Sequence, residues 1–110
     1  MTGAPPMSVP NMEVEGRLFL VTGGTQGLGL EIARCLKKNG ARGIALVSRS
    51  KGKGEEACAE LDCGTCKVVY VCADMSDPHA PGRMFEEALG LFSGLGPITG
   101  VVNAAAYTAR

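Results

Sequence analysis

The stretch of sequence that decides the fold reads Thr22-Gly23-Gly24-Thr25-Gln26-Gly27-Leu28-Gly29. It follows an apolar run at residues 17–21 and precedes residues 28–38, whose apolar side chains recur at helical spacing. A glycine-rich turn between a strand and a helix leaves backbone N–H groups free at the positive end of the helix dipole, where a pyrophosphate can bind. Here Gly23 permits the tight turn, Gly27 the close approach of a phosphate, and Gly29 the close packing of helix on strand. The alternative is a purely structural turn. A P-loop is excluded because no Gly-Lys-Ser/Thr follows.

Apolar runs and helical patterns alternate along the rest of the chain. Beyond the first strand and helix, the sequence predicts strands at 43–47, 67–72 and 98–103, helices at 55–61 (beginning a few residues earlier) and 83–92, and a loop at 77–82. Strands without alternation, separated by helices, predict an α/β fold of the doubly wound Rossmann type, β-α-β-α-β-α-β, with a parallel sheet of order 3-2-1-4. A complete fold of this type has two more strands. Residues 17–110 are therefore interpreted as a half-domain that stops before the catalytic segment, with the fourth strand as an apolar sheet edge.

Composition narrows the possible functions. Apolar residues make up 45% of the chain and charged residues 20%, which is typical of a folded globular domain. The 11 basic and 11 acidic residues balance, so no general attraction to nucleic acid or to an anionic membrane is expected. No apolar run approaches the roughly 20 residues that span a bilayer. Residues 1–16 lack the basic start and apolar centre of a signal peptide. They are predicted to form a flexible leader, and a cytoplasmic location is expected.

The cysteines offer a possible metal or redox site. An odd count in a chain without a signal peptide indicates reduced thiols; the five are Cys35, Cys58, Cys63, Cys66 and Cys72. Cys63 and Cys66 have CxxC spacing, but a zinc site needs a second pair of ligands, and His79 is the only histidine. A thioredoxin-like motif opens a helix, whereas a strand follows here. The sequence therefore predicts a plain loop and no metal site.

Four motifs in the same order resemble the short-chain dehydrogenase/reductase family. The spacing Thr-Gly-x-x-x-Gly-x-Gly at residues 22–29 is that of its single-domain members; the Gly-x-x-Gly-x-x-Gly of extended members fails because position 30 is Leu. The other three motifs are Val47-Ser48-Arg49-Ser50, Ala73-Asp74-Met75-Ser76-Asp77 and Val102-Asn103-Ala104-Ala105-Ala106, one after each later strand. The second of these resembles the family's Asp-Val/Met segment, which contacts the adenine, and the last stands in the place of its Asn-Asn-Ala-Gly.

The last motif departs from the family pattern at two positions. Ala104 replaces the second Asn, and Ala106 replaces the Gly. Ketoreductase domains of polyketide synthases have a similar small-residue version, His-Ala-Ala-Gly, and their second strand often ends in Ser-Arg-Ser. The methyl group of Ala106 is expected to narrow the passage beside cofactor or substrate, or to shift the loop.

The end of the second strand distinguishes NADP(H) from NAD(H). An acidic residue there hydrogen-bonds the ribose 2′-hydroxyl of NAD and repels a 2′-phosphate. Here the residues are Ser48, Arg49, Ser50 and Lys51, without a carboxylate. Arg49 can bind a phosphate through two parallel hydrogen bonds, and the serines can donate to it. The alternative is a solvated basic loop. The predicted cofactor is NADP(H), with NAD(H) second; the predicted cofactor-binding residues are Gly23, Thr25, Gln26, Gly27, Leu28, Gly29, Ser48, Arg49, Ser50, Asp74, Met75, Asn103 and Ala104.

The family resemblance implies hydride transfer between a nicotinamide and a carbonyl. In the family a Tyr of Tyr-x-x-x-Lys is the acid and an upstream Ser polarises the carbonyl; both lie beyond the fourth strand, so no catalytic residue is expected in this chain. Tyr107 directly follows that strand and is not expected to be the acid, and Tyr70 is expected in the core. The expected parent is an NADP-dependent, homo-oligomeric enzyme that interconverts a small ketone or aldehyde and an alcohol. The alternatives are a non-catalytic NADP-binding or sensor module and a ketoreductase unit of a polyketide or fatty-acid synthase.

Overall fold

The computed structural model of the protein describes residues 14–104. Most of the predicted leader at residues 1–16 lies outside this range, as do Ala106 and Tyr107. Of the last leader residues, Val14 packs against the domain core, and the N–H of Gly16 donates to the carbonyl of Gly40 at 2.9 Å. The elements are strands β1 (Leu18–Thr22), β2 (Gly43–Ser48), β3 (Lys67–Cys72) and β4 (Ile98–Asn103), and helices α1 (Gly27–Lys38), α2 (Lys51–Leu61) and α3 (Ala80–Leu91).

All four strands form one parallel sheet in the order β3-β2-β1-β4. This confirms the predicted Rossmann-type topology. Every residue of β1 is buried because β1 has a paired neighbour on each side and helices above and below. In the described part of the chain β4 pairs only with β1, and its burial alternates along the strand; Val101 is 60% exposed. The strand that the sequence predicts as a sheet edge is therefore an edge in this structure.

Apolar side chains form a separate cluster on each face of the sheet. On one face α1 and α2 cover residues such as Val21 and Ile44. On the other face Met84 and Ala88 of α3, together with Phe92 just after the helix, pack onto β1, β2 and β3. Alternate residues of a strand point to opposite faces, so a strand that supplies both clusters must be apolar throughout. This is the physical reason why β1 and β2 read as continuous apolar runs.

Helix α3 corrects one prediction. The sequence predicts a loop over residues 77–82, but the helix begins at Ala80, whose N–H donates to the carbonyl of Asp77 at 3.0 Å. Pro81 is compatible with this because the first turn of a helix leaves its N–H groups without intrahelical partners, so the missing proline donor costs nothing there. Helix α2 begins at Lys51, in agreement with the expectation of a start before residue 55.

Candidate dinucleotide-binding site

The predicted segments meet where the four parallel strands end. This side of the sheet is called the carboxyl edge and is distinct from the edge strand β4. The glycine-rich turn follows β1, Ser48 ends β2, Asp74 follows β3, and Asn103 ends β4. The hydroxyl of Thr22 donates to Oδ1 of Asn103 at 2.8 Å and so joins the ends of β1 and β4. In open α/β sheets ligands bind at this edge, where neighbouring loops diverge.

The glycine-rich turn is held tightly at one end and is open at the other. Gly23 has φ +71°, and its N–H donates to the carbonyl of Val47 at 2.7 Å. A Cβ at Gly29 would lie 1.9 Å from the carbonyl oxygen of Gly23, so only glycine lets α1 approach the turn this closely. Gly27 has φ +56°, and a Cβ there would meet nothing within 4 Å. The open side of the turn therefore lies at Gly27.

The first turn of α1 presents uncapped backbone donors. The N-cap residue is Gln26, whose side chain makes no capping hydrogen bond to the first turn. Within residues 14–104, no acceptor pairs with the N–H groups of Gly27 or Leu28. Thr25 is buried, whereas Gln26, Gly27 and Leu28 are exposed. An anion at this position would accept from these N–H groups at the positive end of the helix dipole.

The segment after β2 is exposed and carries no carboxylate. Ser48 is half-buried, whereas Arg49 and Ser50 are exposed. The hydroxyl of Ser50 accepts from the N–H of Lys53 at 3.4 Å and so caps α2. The positive charge of Arg49 helps to lower the pKa of Asp74, so Arg49 lies close to the segment after β3.

Asp74 lines a cavity at the end of β3, and Met75 is the next residue along the chain. The main cause of the lowered Asp74 pKa is hydrogen bonding from Ser76, whose N–H and hydroxyl donate to Oδ1 at 3.0 and 2.8 Å. A cavity of about 250 Å³ separates this segment from the first turns of α3. Met75 is 41% exposed. At the end of β4, Ala104 is buried and Asn103 is exposed.

Comparison with known proteins assigns the family. The KR domain family model matches residues 18–110. The chain belongs to the KR-domain group of short-chain dehydrogenases/reductases. A chloroplastic NADPH-dependent aldehyde reductase of Arabidopsis thaliana is 32% identical over 96% of the chain, which covers 42% of that protein. An NADP-dependent (R)-specific alcohol dehydrogenase of Lentilactobacillus kefiri is 35% identical over 82% of the chain, which covers 34% of that protein.

A solved structure shows the same fold. A blue fluorescent protein from a metagenomic library, crystallised with NADPH, superposes with a TM-score of 0.70 at 29% identity. The match covers 82% of this chain and 36% of the solved one. This KR domain therefore spans less than half the length of each of these relatives.

Two residues of the KR domain that sequence analysis does not assign to the site lie directly against it. Lys53 of α2 donates through Nζ to Oε1 of Gln26 in the glycine-rich turn. In the described part of the chain this ammonium contacts no carboxylate. Tyr70 of β3 hydrogen-bonds Ser48 at the end of β2. Neither contact leaves a signal in the sequence, because each depends on which residues of two distant elements meet.

The CxxC pair lies away from the carboxyl edge, in the loop between α2 and β3. Cys63 is exposed and Cys66 is buried, and both are free thiols. A hydrogen bond with the Thr65 hydroxyl lowers the pKa of Cys63, whereas burial raises that of Cys66 to about 11. Within residues 14–104 no cluster of three or more His, Cys, Asp or Glu side chains could hold a metal ion. None of the helices described in this range is long and apolar enough to cross a bilayer.

Proposed function

We propose that residues 17–110 form the NADP(H)-binding part of an oxidoreductase that interconverts a ketone or aldehyde and an alcohol. The observation that carries the cofactor assignment is the end of β2, where exposed Arg49 and Ser50 stand at the position that an acidic residue would occupy in an NAD site. Two relatives are named as NADP(H)-dependent, and the solved structure holds NADPH, which supports the same choice.

The residues present fit a dinucleotide. Gly27 leaves open space beside the uncapped N–H groups of α1, where a pyrophosphate would accept hydrogen bonds. Arg49 would pair with the 2′-phosphate through a charge-assisted hydrogen bond. Lys53, held at the glycine-rich turn by Gln26, adds a second cation between the two groups. Asp74 and Met75 would border the adenine, and Asn103 and Ala104 the part of the cofactor nearer the nicotinamide.

The bound nicotinamide supplies a hydride to the carbonyl carbon, and a proton must reach the carbonyl oxygen. We propose that the proton donor comes from a Tyr-x-x-x-Lys segment outside these residues, because the chain covers only about a third of its relatives. The whole protein is proposed to be a homo-oligomer that acts on a small-molecule substrate in the cytoplasm, where its five thiols stay reduced.

Calorimetric titration of the purified protein with NADPH and with NADH tests the cofactor assignment. We expect NADPH to bind about ten- to hundredfold more tightly, since a charge-assisted contact is worth about 1.5–3 kcal/mol. Arg49→Gln should remove most of that difference. Arg42→Gln is the matched control, because Arg42 is also an exposed arginine and lies beside the opposite end of β2. Equal affinity for the two cofactors in the unmodified protein would contradict the assignment.

A further inference from the structure

Tyr70 packs its ring against the backbone of α2. A Cβ built on Gly54 would lie 2.2 Å from Cε1 of Tyr70, so the helix accommodates the ring only because residue 54 has no side chain. The ring also contacts the apolar cluster on the face covered by α1 and α2. The ring of Tyr70 is therefore fixed between the sheet and α2, and its hydroxyl is directed to the end of β2.

The hydroxyl of Tyr70 forms a closed set of hydrogen bonds with Ser48. It donates to the carbonyl oxygen of Ser48 at 2.8 Å. The two hydroxyl oxygens are 3.1 Å apart, and because the phenol proton is already used, Ser48 must be the donor in this contact. The hydroxyl of Ser48 in turn accepts from the N–H of Ser50 at 3.3 Å. Its own proton therefore points to Tyr70, away from any ligand.

The two serines at and just after the end of β2, Ser48 and Ser50, consequently have different tasks. Ser48 fixes the backbone, because its carbonyl and its hydroxyl both bond to Tyr70. Ser50 accepts from the N–H of Lys53, and its hydroxyl proton has no acceptor within residues 14–104, so it can donate to a ligand. Burial raises the pKa of Tyr70, so the phenol keeps its donor proton at neutral pH.

We propose that Tyr70 is a positioning residue for cofactor selection: it holds Ser48 so that Arg49 and Ser50 face the 2′-phosphate. This inference rests on the proposed NADP(H) function and adds to it a residue that touches no part of the cofactor. A ring without the hydroxyl would still fill the space beside Gly54, but Ser48 would lose both bonds to Tyr70 and keep the backbone bond from the N–H of Ala73 to its carbonyl.

Tyr70→Phe separates positioning from packing. We expect the Kd for NADPH to rise about three- to tenfold, which corresponds to one net hydrogen bond, whereas the Kd for NADH stays within about twofold. A purely structural role would lower the melting temperature without changing the ratio of the two Kd values. An unchanged ratio in Tyr70→Phe would overturn the inference.

Ser48→Ala and the double variant supply a second readout. Ser48→Ala removes the hydroxyl bonds to Tyr70 and to the N–H of Ser50 but keeps the carbonyl to which Tyr70 donates. If Ser48 acts through Tyr70, the double variant loses less NADPH affinity than the two single losses combined, because both changes break the same hydroxyl–hydroxyl bond. Fully additive losses would show that the two residues act independently and would overturn the inference. Failure of the proposed function would give a different result, because the unmodified protein would then show no preference for NADPH over NADH.

Discussion

Gly27→Ala tests the phosphate cradle, because Gly27 combines a left-handed backbone with open space. At φ +56° an alanine costs about 1–2 kcal/mol, and no atom within 4 Å of the new methyl adds to that cost. A domain of this size then loses about 4–8 °C of melting temperature per kcal/mol. The methyl group occupies the space proposed for the pyrophosphate and removes at least one charge-assisted N–H contact. NADPH affinity should therefore fall about ten- to hundredfold.

Gly94→Ala is the matched control for this prediction. Gly94 also has a positive φ, +84°, and a Cβ built there would meet nothing within 4 Å. It lies in the loop before β4, at the amino ends of the strands and away from the carboxyl edge. Both variants should lose similar stability in thermal unfolding, and only Gly27→Ala should lose cofactor affinity in calorimetry. If Gly27→Ala binds NADPH as tightly as Gly94→Ala does, the phosphate does not lie at this turn.

Three further predictions concern charge. Arg49→Asp should favour NADH over NADPH in paired titrations, since a carboxylate repels the 2′-phosphate and accepts from the 2′-hydroxyl; an unchanged preference would remove Arg49 from the site. Lys53→Gln should weaken NADPH binding by up to about tenfold and make it less sensitive to salt, with little change in melting temperature; unchanged affinity would show that the ammonium does not reach the cofactor. Iodoacetamide near pH 8 should alkylate Cys63 before Cys66, because the pKa of Cys63 is lowered and that of Cys66 is raised to about 11; equal rates by mass spectrometry would contradict those environments.

The topology could be predicted from the sequence because each element carries its own local signal. β1 and β2 are apolar except at their last residues, Thr22 and Ser48, and the pattern between them has helical spacing. The parallel sheet and its order then follow from right-handed crossovers and the doubly wound pattern. Element ends were less predictable. The prolines and glycines before residue 83 are typical of a loop, yet Pro81 also suits the first turn of a helix, and only the backbone shows which applies.

The site was predictable where backbone conformation determines the residue type and unpredictable where distant side chains meet. Gly29 could be predicted because its close contact with Gly23 lies within one stretch of eight residues, in which the turn leads directly into the helix. Gly54 lies on α2 and Tyr70 on β3, and their contact exists only once the strand has been laid beside the helix. Lys53 likewise reads as an ordinary solvated helix residue until α2 is placed next to the glycine-rich turn.

The position of β4 beside β1 has a consequence for synthesis on the ribosome. Thr22 bonds to Asn103, 81 residues later, whereas the other partner of β1 is the next strand along the chain. At about 5–20 residues per second, roughly 4–16 s separate the emergence of the two groups. During that interval one side of the apolar strand β1 has no partner and can pair with another nascent chain. Elongation speed and holding chaperones should therefore affect the yield of folded protein more than the stability of the finished sheet does.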